Sequence, residues 1–295
     1  MNIQKLENKE QSLSAEILPD HAGSINNISI TKDSETISLI DGYKSDAELK
    51  DNVGSKSSLL APFPNRIEDG KFTFKNVEYQ FPINMPNENN AIHGFIENKS
   101  FVIVDSSEAN LVLRYEYDGS ADYFPFPFSI DIEYELKKNE LSCKTIATNT
   151  GDREMPFGFG WHPYFKIGDS VNNLKLKIPE VEEIQVNERL IPTGDSNGFS
   201  KFKELQSIDT TEFDTGFILF GGSNQVELLN KEMGVGINVI LKEGYDYLQI
   251  YTPPNRKTIA IEPMTCEANA LNSHKGLKIL RPKESFLAIY TIGVV

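Results

Sequence analysis

Cysteine, histidine and tryptophan are scarce in this sequence of 295 residues, which contains two, four and one of them. The two cysteines, Cys143 and Cys266, are too few for a disulfide framework, and neither belongs to a pair with metal-ligand spacing. We therefore expect both thiols to be reduced and to serve only the packing of the interior. Because there are only four histidines, each can be weighed singly as a candidate for chemistry.

The chain also lacks long apolar runs and an excess of basic residues. No apolar segment has the length of a membrane span, and residues 1–10 contain no apolar core of a secretion signal. Asp and Glu number 43 against 29 Lys and Arg, which gives a formal net charge of −14 and a field that repels polyanions. We expect a cytoplasmic protein that binds neither membrane nor nucleic acid, and a substrate that is neutral or weakly charged.

Helical periodicity is hard to find, whereas apolar and polar residues alternate with period two in many short segments. Residues 71–74 and 77–81 predict a hairpin. Further predicted strands are 111–117, 129–136, 141–148, 237–241, 247–252, 258–262 and 285–291. Short strands joined by turns that use the 20 glycines and 15 prolines favour an all-β fold, a large antiparallel β-sandwich or barrel. No linker or repeat divides the chain, so residues 1–295 are predicted to form a single domain.

The segment 158–165 places His162 among glycines, aromatic residues and a proline. Pro163 biases the backbone of His162 towards an extended conformation and thereby aims its imidazole. Glu262 ends an apolar, strand-like run and also precedes a proline. A possible acid and a possible base are thus both held in fixed backbone settings. A core histidine packed beside Trp161 is the alternative for His162, although the glycines of the segment indicate backbone crowding near a cleft.

The other histidines carry weaker signals. His93 follows two asparagines and the apolar pair Ala91-Ile92, and a glycine comes after it. This pattern fits a structural role as well as a functional one. His21 and His274 lie in turn-like segments and are expected on the solvated surface. A metal site built from His93, His162 and a carboxylate is an alternative, but the two histidines are not clustered as metal ligands usually are. Serine-nucleophile chemistry has little support, because the G-x-S-x-G motif is missing.

Three polar residues in apolar surroundings are candidates for ligand binding. Arg66 follows two prolines and precedes an isoleucine, so its backbone is expected to be rigid. Its guanidinium group, with five donors, suits a polyhydroxylated or anionic ligand. A salt bridge with Glu68 or Asp69 is the alternative for this arginine. Asp214 and Gln249 lie among aromatic residues, and each fits a turn or a solvent-facing strand as well as a ligand contact.

Taken in order, these segments resemble the aldose 1-epimerase, or galactose mutarotase, family. The resemblance rests on short motifs spread over nearly the whole chain: Asn65-Arg66, His93-Gly94, Trp161 to Phe165, Ile191-Pro192-Thr193-Gly194, Asp214, Gln249 to Thr252 and Glu262-Pro263. It implies a β-supersandwich with a sugar cleft across one sheet, which agrees with the predicted strands. It also implies that the chain interconverts the α and β anomers of a sugar, with no cofactor or metal.

The resemblance assigns a role to each matching residue. Glu262 would be the general base that takes the proton of the anomeric hydroxyl, and His162 the general acid that protonates the ring oxygen. His93, the third catalytic residue, would support that oxygen or share the proton. The residues expected to hold the sugar are Asn65, Arg66, Tyr164, Asp214 and Gln249. Ordinary pKa values leave a glutamate ionised and a histidine partly protonated at neutral pH, so we expect the pair to start in opposite charge states, across one sugar from each other.

Two other functions fit the same residues. A branch of the superfamily that acts on hexose 6-phosphates would call for further cations near Arg66, and Lys71, Lys75 and Lys99 are the neighbouring candidates. A non-catalytic carbohydrate-binding protein would use the same cleft without turnover. The resemblance leaves the identity of the aldose and the oligomeric state open.

Overall fold

The computed structural model describes residues 1–8, 13–51, 54–221 and 224–295. In these residues the chain forms many β-strands and little helix. The strands of the first half are β1 (Gln4–Glu7), β2 (Leu13–Leu18), β3 (Ser24–Lys32), β4 (Glu35–Ser38), β5 (Leu59–Leu60), β6 (Arg66–Glu68), β7 (Lys71–Phe74), β8 (Val77–Gln80), β9 (Asn90–Ile92), β10 (Val102–Ser106), β11 (Asn110–Tyr117), β12 (Phe128–Lys137) and β13 (Glu140–Asn149).

The strands of the second half are β14 (Met155–Phe157), β15 (Gly160–Trp161), β16 (Tyr164–Phe165), β17 (Leu174–Lys177), β18 (Val181–Val186), β19 (Pro192–Phe199), β20 (Gln206–Ser207), β21 (Asp214–Leu219), β22 (Gln225–Asn230), β23 (Val235–Glu243), β24 (Tyr247–Tyr251), β25 (Ile259–Met264), β26 (Lys278–Leu280) and β27 (Ser285–Val294). The helical elements are α1 (Asp46–Asp51), a 3-10 turn (Val171–Asn173) and α2 (Ala270–Ser273). The predicted all-β fold is confirmed.

Two large antiparallel sheets form the body of the described chain. The nine-stranded sheet has the order β10-β11-β12-β13-β27-β23-β22-β17-β20, and the eight-stranded sheet has the order β19-β18-β21-β24-β25-β15-β5, with β16 also paired to β25. A four-stranded sheet, β1-β2-β3-β4, and the pairs β6-β9, β7-β8 and β14-β26 complete the described strands. The hairpin predicted for residues 71–81 is the pair β7-β8.

Strand β12 illustrates how alternation specifies these sheets. Its residues Ile130, Ile132, Tyr134 and Leu136 are all buried, as the shared face of the predicted strand requires. Strand β12 pairs with β13 over the whole length of both strands. Burial of one large apolar side chain contributes about 1.5–3 kcal/mol, so a slip of one residue in register would cost several such contributions.

Trp161 joins the two large sheets. It lies on β15 of the eight-stranded sheet, and its ring centroid is 6.2 Å from those of Tyr134 and Tyr290 on the nine-stranded sheet. Its indole Nε1 donates a hydrogen bond of 3.2 Å to Thr145 Oγ1 on β13. The buried apolar side chains around it form one cluster that extends along the chain from Leu6 to Ile292. The two sheets therefore make a β-sandwich with a shared core.

Close packing explains the glycines that precede His162. A Cβ atom added to Gly160 would lie 2.9 Å from Pro263 O on β25, and one added to Gly158 would lie 2.4 Å from Cys266 Sγ. The backbone crowding predicted for this segment is therefore present, and around Gly160 it also involves Met264 (3.1 Å) on β25. Cys143 and Cys266 are both free and buried, as expected. No helix in the described ranges is long and apolar enough to cross a bilayer.

Candidate active site

Strand register brings three predicted site residues into one row on the eight-stranded sheet. His162 lies between β15 and β16, which both pair with β25; the flanking partners are Gly160 with Met264 and Tyr164 with Ala260. This register sets His162 opposite Glu262, and Gln249 on β24 is the partner of Glu262 on its other side. Side chains of opposed residues project from the same face of a sheet, so positions far apart in sequence meet here.

His162 and Glu262 are in direct contact. His162 Nε2 lies 3.3 Å from Glu262 Oε1, and the two residues are only 6% and 2% exposed. No sugar can lie between them, so the expectation that they face each other across one ring was wrong. Such an arrangement is not needed, because the anomeric hydroxyl and the ring oxygen are bonded to the same carbon. Adjacent proton carriers can therefore serve both oxygens from one side of a sugar.

Burial shifts both members of this pair towards their neutral forms. It lowers the pKa of His162 to about 4. It raises the pKa of Glu262 well above its usual range, and nearby Asp214 adds to the rise while Arg66 opposes it. These shifts contradict the expected ionised glutamate and protonated histidine, because desolvation penalises both charges. Both shifts favour a proton on the carboxyl group over one on the imidazole.

The ring of His162 is fixed by its neighbours. Tyr164 stacks on it with centroids 4.7 Å apart and an interplanar angle of 25°. The main chain of His162 donates to Ser58 O (3.2 Å) and accepts from Ser57 N (2.9 Å). Within the described ranges, His162 Nδ1 and Glu262 Oε2 are buried polar atoms without a hydrogen-bond partner. Atoms of this kind are rare in folded proteins and mark a place where a polar ligand gains hydrogen bonds.

His93 approaches the pair from a neighbouring loop. Its ring lies edge to face against His162, with centroids 5.4 Å apart. His93 and Asn65 both have left-handed backbone, with φ of 65° and 57°. The N–H of Asn65 donates to His93 Nδ1 at 3.3 Å, so the proton of the neutral ring must sit on Nε2. Burial and the proximity of His162 and Arg66 lower the pKa of His93, which keeps it a neutral donor.

The remaining predicted residues form a polar network beside the row. Arg66 Nη1 donates to Asn65 Oδ1 at 3.0 Å, and its Nη2 lies 3.5 Å from Asp214 Oδ2. Gln249 Nε2 donates to Asp214 Oδ1 at 2.7 Å. Asn65, Arg66 and Gln249 are buried, whereas the side chain of Asp214 is 35% exposed. The alternative for Arg66, a salt bridge with Glu68 or Asp69, was wrong, because both of those carboxylates pair with Arg189.

A small hollow lies next to this network. Its polar wall consists of Asn65, Arg66, Asp214 and Gln249. Its apolar wall consists of Ile184, Val186, Leu190, Pro192, Met264 and Ala268. The sequence reasoning missed most of the apolar wall, although Pro192 belonged to a quoted motif. The alternation in residues 181–186 was the available signal, but it predicts only a strand and not what the strand faces.

The other candidates lie outside this site. His21 is buried, with its Nε2 3.2 Å from Tyr43 Oη, so its expected place on the surface was wrong. His274 is exposed, as predicted. Lys71 and Lys75 form surface ion pairs with Glu78 and Glu154, and Lys99 is exposed. None of these three lysines is among the described residues that line the hollow.

Comparison with known sequences gives a family match over most of the chain and curated relatives. A sequence model of the family described as Aldose 1-epimerase matches residues 22–292. The Escherichia coli K12 protein YihR, described as uncharacterized, is 27% identical over 246 residues, which cover 79% of this chain and 78% of YihR.

Solved structures share the fold over the full length. A galactose mutarotase-like protein from Clostridium acetobutylicum superposes with a TM-score of 0.87 at 24% identity, covering 100% of this chain and 98% of that one. Galactose 1-epimerase from Lactobacillus acidophilus NCFM gives a TM-score of 0.81 at 17% identity, with coverage of 100% and 98%. At these identities the likeness shows a galactose mutarotase-like β-sandwich and no more than that.

Proposed function

The chain belongs to the aldose 1-epimerase family, and we propose that it interconverts the α and β anomers of a free hexose by acid–base-catalysed ring opening. The observation that carries this proposal is the contact of 3.3 Å between His162 and Glu262, two buried groups that can hold one proton between them. Mutarotation takes one proton from the anomeric hydroxyl and delivers one to the ring oxygen. A pair that holds one proton can do both without any net exchange with solvent.

Glu262 acts as the base and His162 as the acid in this proposal. Transfer of the shared proton from Glu262 to His162 Nε2 gives a carboxylate and an imidazolium without changing the net charge of the pair. Hydrogen bonds from sugar hydroxyls to the carboxylate favour this charged arrangement. Glu262 then removes the anomeric hydroxyl proton, the bond between C1 and the ring oxygen breaks, and His162 protonates the ring oxygen.

Ring closure repeats these steps in reverse. Rotation about the C1–C2 bond of the open aldehyde exposes the other carbonyl face, and the hydroxyl that was the ring oxygen attacks it while its proton returns to His162. The neutral Nε2–H of His93 donates a hydrogen bond to the ring oxygen, and the side chains of Asn65, Arg66, Tyr164, Asp214 and Gln249 hold the sugar. Each positioned proton transfer contributes about 10²- to 10⁴-fold to the rate.

The charges of the hollow favour a sugar without phosphate. Arg66 is the cation among its described lining residues, and Asp214 and Asn65 already engage the guanidinium. The opposite wall is aliphatic and offers no compensation for a buried phosphate dianion. The net charge of −14 adds long-range repulsion.

Anomer exchange measured by NMR or polarimetry on freshly dissolved α-glucose and α-galactose tests the proposal. We expect acceleration over buffer alone, a loss of at least about 10²-fold in Glu262→Gln and in His162→Gln, and a retained rate in Glu267→Gln. Glu267 is a matched control because it is another buried glutamate, bonded to Ser273. Saturable sugar binding by calorimetry without acceleration would show a carbohydrate-binding protein instead, and a full rate in Glu262→Gln would refute the assigned base.

A further inference from the structure

The loop 187–191 connects β18 to β19 and supplies part of the apolar wall of the hollow. Val186 and Pro192, the strand residues that flank it, pair with each other, and Leu190 within it lines the hollow. The loop leads into the motif Ile191-Pro192-Thr193-Gly194, which the reaction itself does not use. The conformation of the loop therefore determines the position of Leu190 in the apolar wall.

Asn187 organises the interior of this loop. Its side-chain Oδ1 accepts hydrogen bonds from the N–H groups of Arg189 (2.9 Å) and Ile191 (3.1 Å). Its backbone N–H donates to Ile191 O, and its carbonyl accepts from the N–H of Leu190, both at 2.9 Å. Leu190 has a φ of 59°, a left-handed conformation that a leucine adopts only where surrounding contacts impose it.

Arg189 links the loop to residues 68–69 and 88–90 through its whole guanidinium group. Its hydrogen bonds run from Nε to Glu88 O (2.8 Å), from Nη1 to Glu68 Oε1 (3.2 Å), and from Nη2 to Asp69 Oδ1 (2.7 Å), Asn89 O (3.1 Å) and Asn90 Oδ1 (3.1 Å). Asn90 Nδ2 returns a bond of 3.1 Å to Arg189 O. Asn90 is fully buried, so its amide depends on these contacts.

Two of the anchors of Arg189 lie on paired strands next to the site. Glu68 ends β6, which begins at Arg66, and Asn90 begins β9, which His93 follows directly. Arginine suits such a junction because its planar fork of donors reaches several acceptors at once, whereas a lysine ammonium acts as a single point charge. One side chain thus joins the loop that carries Leu190 to β6 and β9.

We propose that Arg189 is a positioning residue that holds the loop 187–191, and with it Leu190 of the apolar wall, against β6 and β9, and so sets the affinity for the sugar. This inference rests on the proposed function, because the hollow is taken as the sugar site. Arg189 does not reach the reacting atoms. Its loss should therefore raise KM and leave the chemical step nearly unchanged.

The first test separates KM from kcat. In Arg189→Gln we expect KM for the sugar to rise about tenfold, equivalent to about 1.4 kcal/mol, with kcat within about twofold of the wild type. Arg189→Lys should give a smaller rise, because an ammonium can retain the contact with Asp69 but not the full set. Arg114→Gln is the matched control: Arg114 pairs with Asp131 through two bonds of 2.6 and 2.9 Å on the nine-stranded sheet, and its loss should leave KM unchanged.

A double-mutant cycle and hydrogen exchange complete the test. If Arg189 acts through Asp69, the double variant Arg189→Gln, Asp69→Asn should raise KM no more than Arg189→Gln alone. The amides of Leu190 and Ile191 should exchange faster in Arg189→Gln without sugar, while the amides of β25 keep their protection. This second readout does not depend on catalysis.

The outcomes distinguish the two proposals. A wild type that does not accelerate the interconversion of anomers refutes the proposed function. The hydrogen exchange of the Leu190 and Ile191 amides then decides whether Arg189 has the positioning role. Unchanged protection of these amides in Arg189→Gln overturns the positioning role. A fall in kcat at constant KM also overturns it, because Arg189 would then act on the chemical step.

Discussion

A buried glutamate in contact with a buried histidine cannot be described by two separate titrations. Glu262 and His162 interact at 3.3 Å, and protons bind to the pair as a unit in macroscopic steps. With one proton the pair is neutral, and that is the state the reaction uses. A second proton leaves no base, and loss of the only proton leaves no acid.

The pH profile of the reaction should report these two steps. We expect the acid limb of kcat/KM at about pH 4, because burial lowers the pKa of His162 to about 4. Ordinary pKa values of about 4.3 for the glutamate and about 6.5 for the histidine would give a similar acid limb but an alkaline limb near the histidine value. The alkaline limb should follow the raised pKa of Glu262. NMR exchange rates corrected for the buffer reaction, with circular dichroism at each pH to verify folding, give the profile. An alkaline limb centred near the ordinary histidine value of about 6.5 would contradict this account.

The raised pKa of Glu262 also predicts how stability depends on pH. A group with a folded-state pKa above its unfolded value contributes its full stability below the unfolded pKa and loses it as pH rises through the folded pKa. Glutamine carries no charge at any pH, so Glu262→Gln should exceed the wild type in stability at pH 8, by at least about 1 kcal/mol, and should lose this advantage towards pH 5.

Urea denaturation of the two proteins at several pH values measures this difference. His162 has the opposite dependence, a loss of stability as pH falls towards its pKa of about 4, so both proteins are compared in a His162→Gln background that removes this titration. An advantage that is constant with pH would show that Glu262 is not destabilised by its burial as a carboxylate.

At the scale of strands, the sequence was informative wherever an element has one buried face. The strands β11, β12, β13 and β27 alternate over eight to ten residues and were predicted close to their bounds. Strands β5, β6, β9, β14, β15 and β16 are two or three residues long and exist only through their partners, so no local pattern marks them.

The same limit explains what was missed in the site. The identities of its residues came from short motifs, but the contact of His162 with Glu262 depends on the register of β15 and β16 against β25, which no local pattern encodes. The pKa shifts follow from burial, which only the assembled sandwich determines. His21 was assigned to the surface because its partner Tyr43 lies 22 positions away along the chain.

Gly94 provides a test at the level of an element. It follows His93 directly, and its close packing fixes the path of the backbone at this point. It has a φ of 70°, and an added Cβ would lie 1.8 Å from Ala61 O, a backbone atom that cannot move aside. Gly94→Ala should therefore lower the free energy of unfolding by about 3 kcal/mol, and its displaced His93 should reduce kcat as well.

Gly198 on β19 is the matched control for this substitution. A Cβ there has no atom within 4 Å, and its φ does not lie in the left-handed region. Gly198→Ala should change the unfolding free energy by no more than about 0.5 kcal/mol. Chemical denaturation of both variants compares them directly, and equal effects would show that the close approach of Gly94 to Ala61 is not a constraint.

Over the whole molecule, the charge of −14 and the lining of the hollow both disfavour an anionic substrate. An anionic substrate would meet a repulsive field at long range and a single engaged arginine at close range. A neutral sugar experiences neither effect, and its encounter with the protein is governed by diffusion and fit.

This difference leads to a prediction about salt. We expect kcat/KM for a free hexose to change by less than about twofold between 0.01 and 0.3 M salt, because a neutral ligand gains nothing from screening. A hexose 6-phosphate should be at least about tenfold poorer, and its kcat/KM should rise with salt as screening weakens the repulsion. Exchange NMR on glucose and glucose 6-phosphate at four salt concentrations provides both slopes. If the phosphate is the better substrate, or its rate falls with salt, a phosphate-binding cation must act at the site and the assignment of a free hexose is wrong.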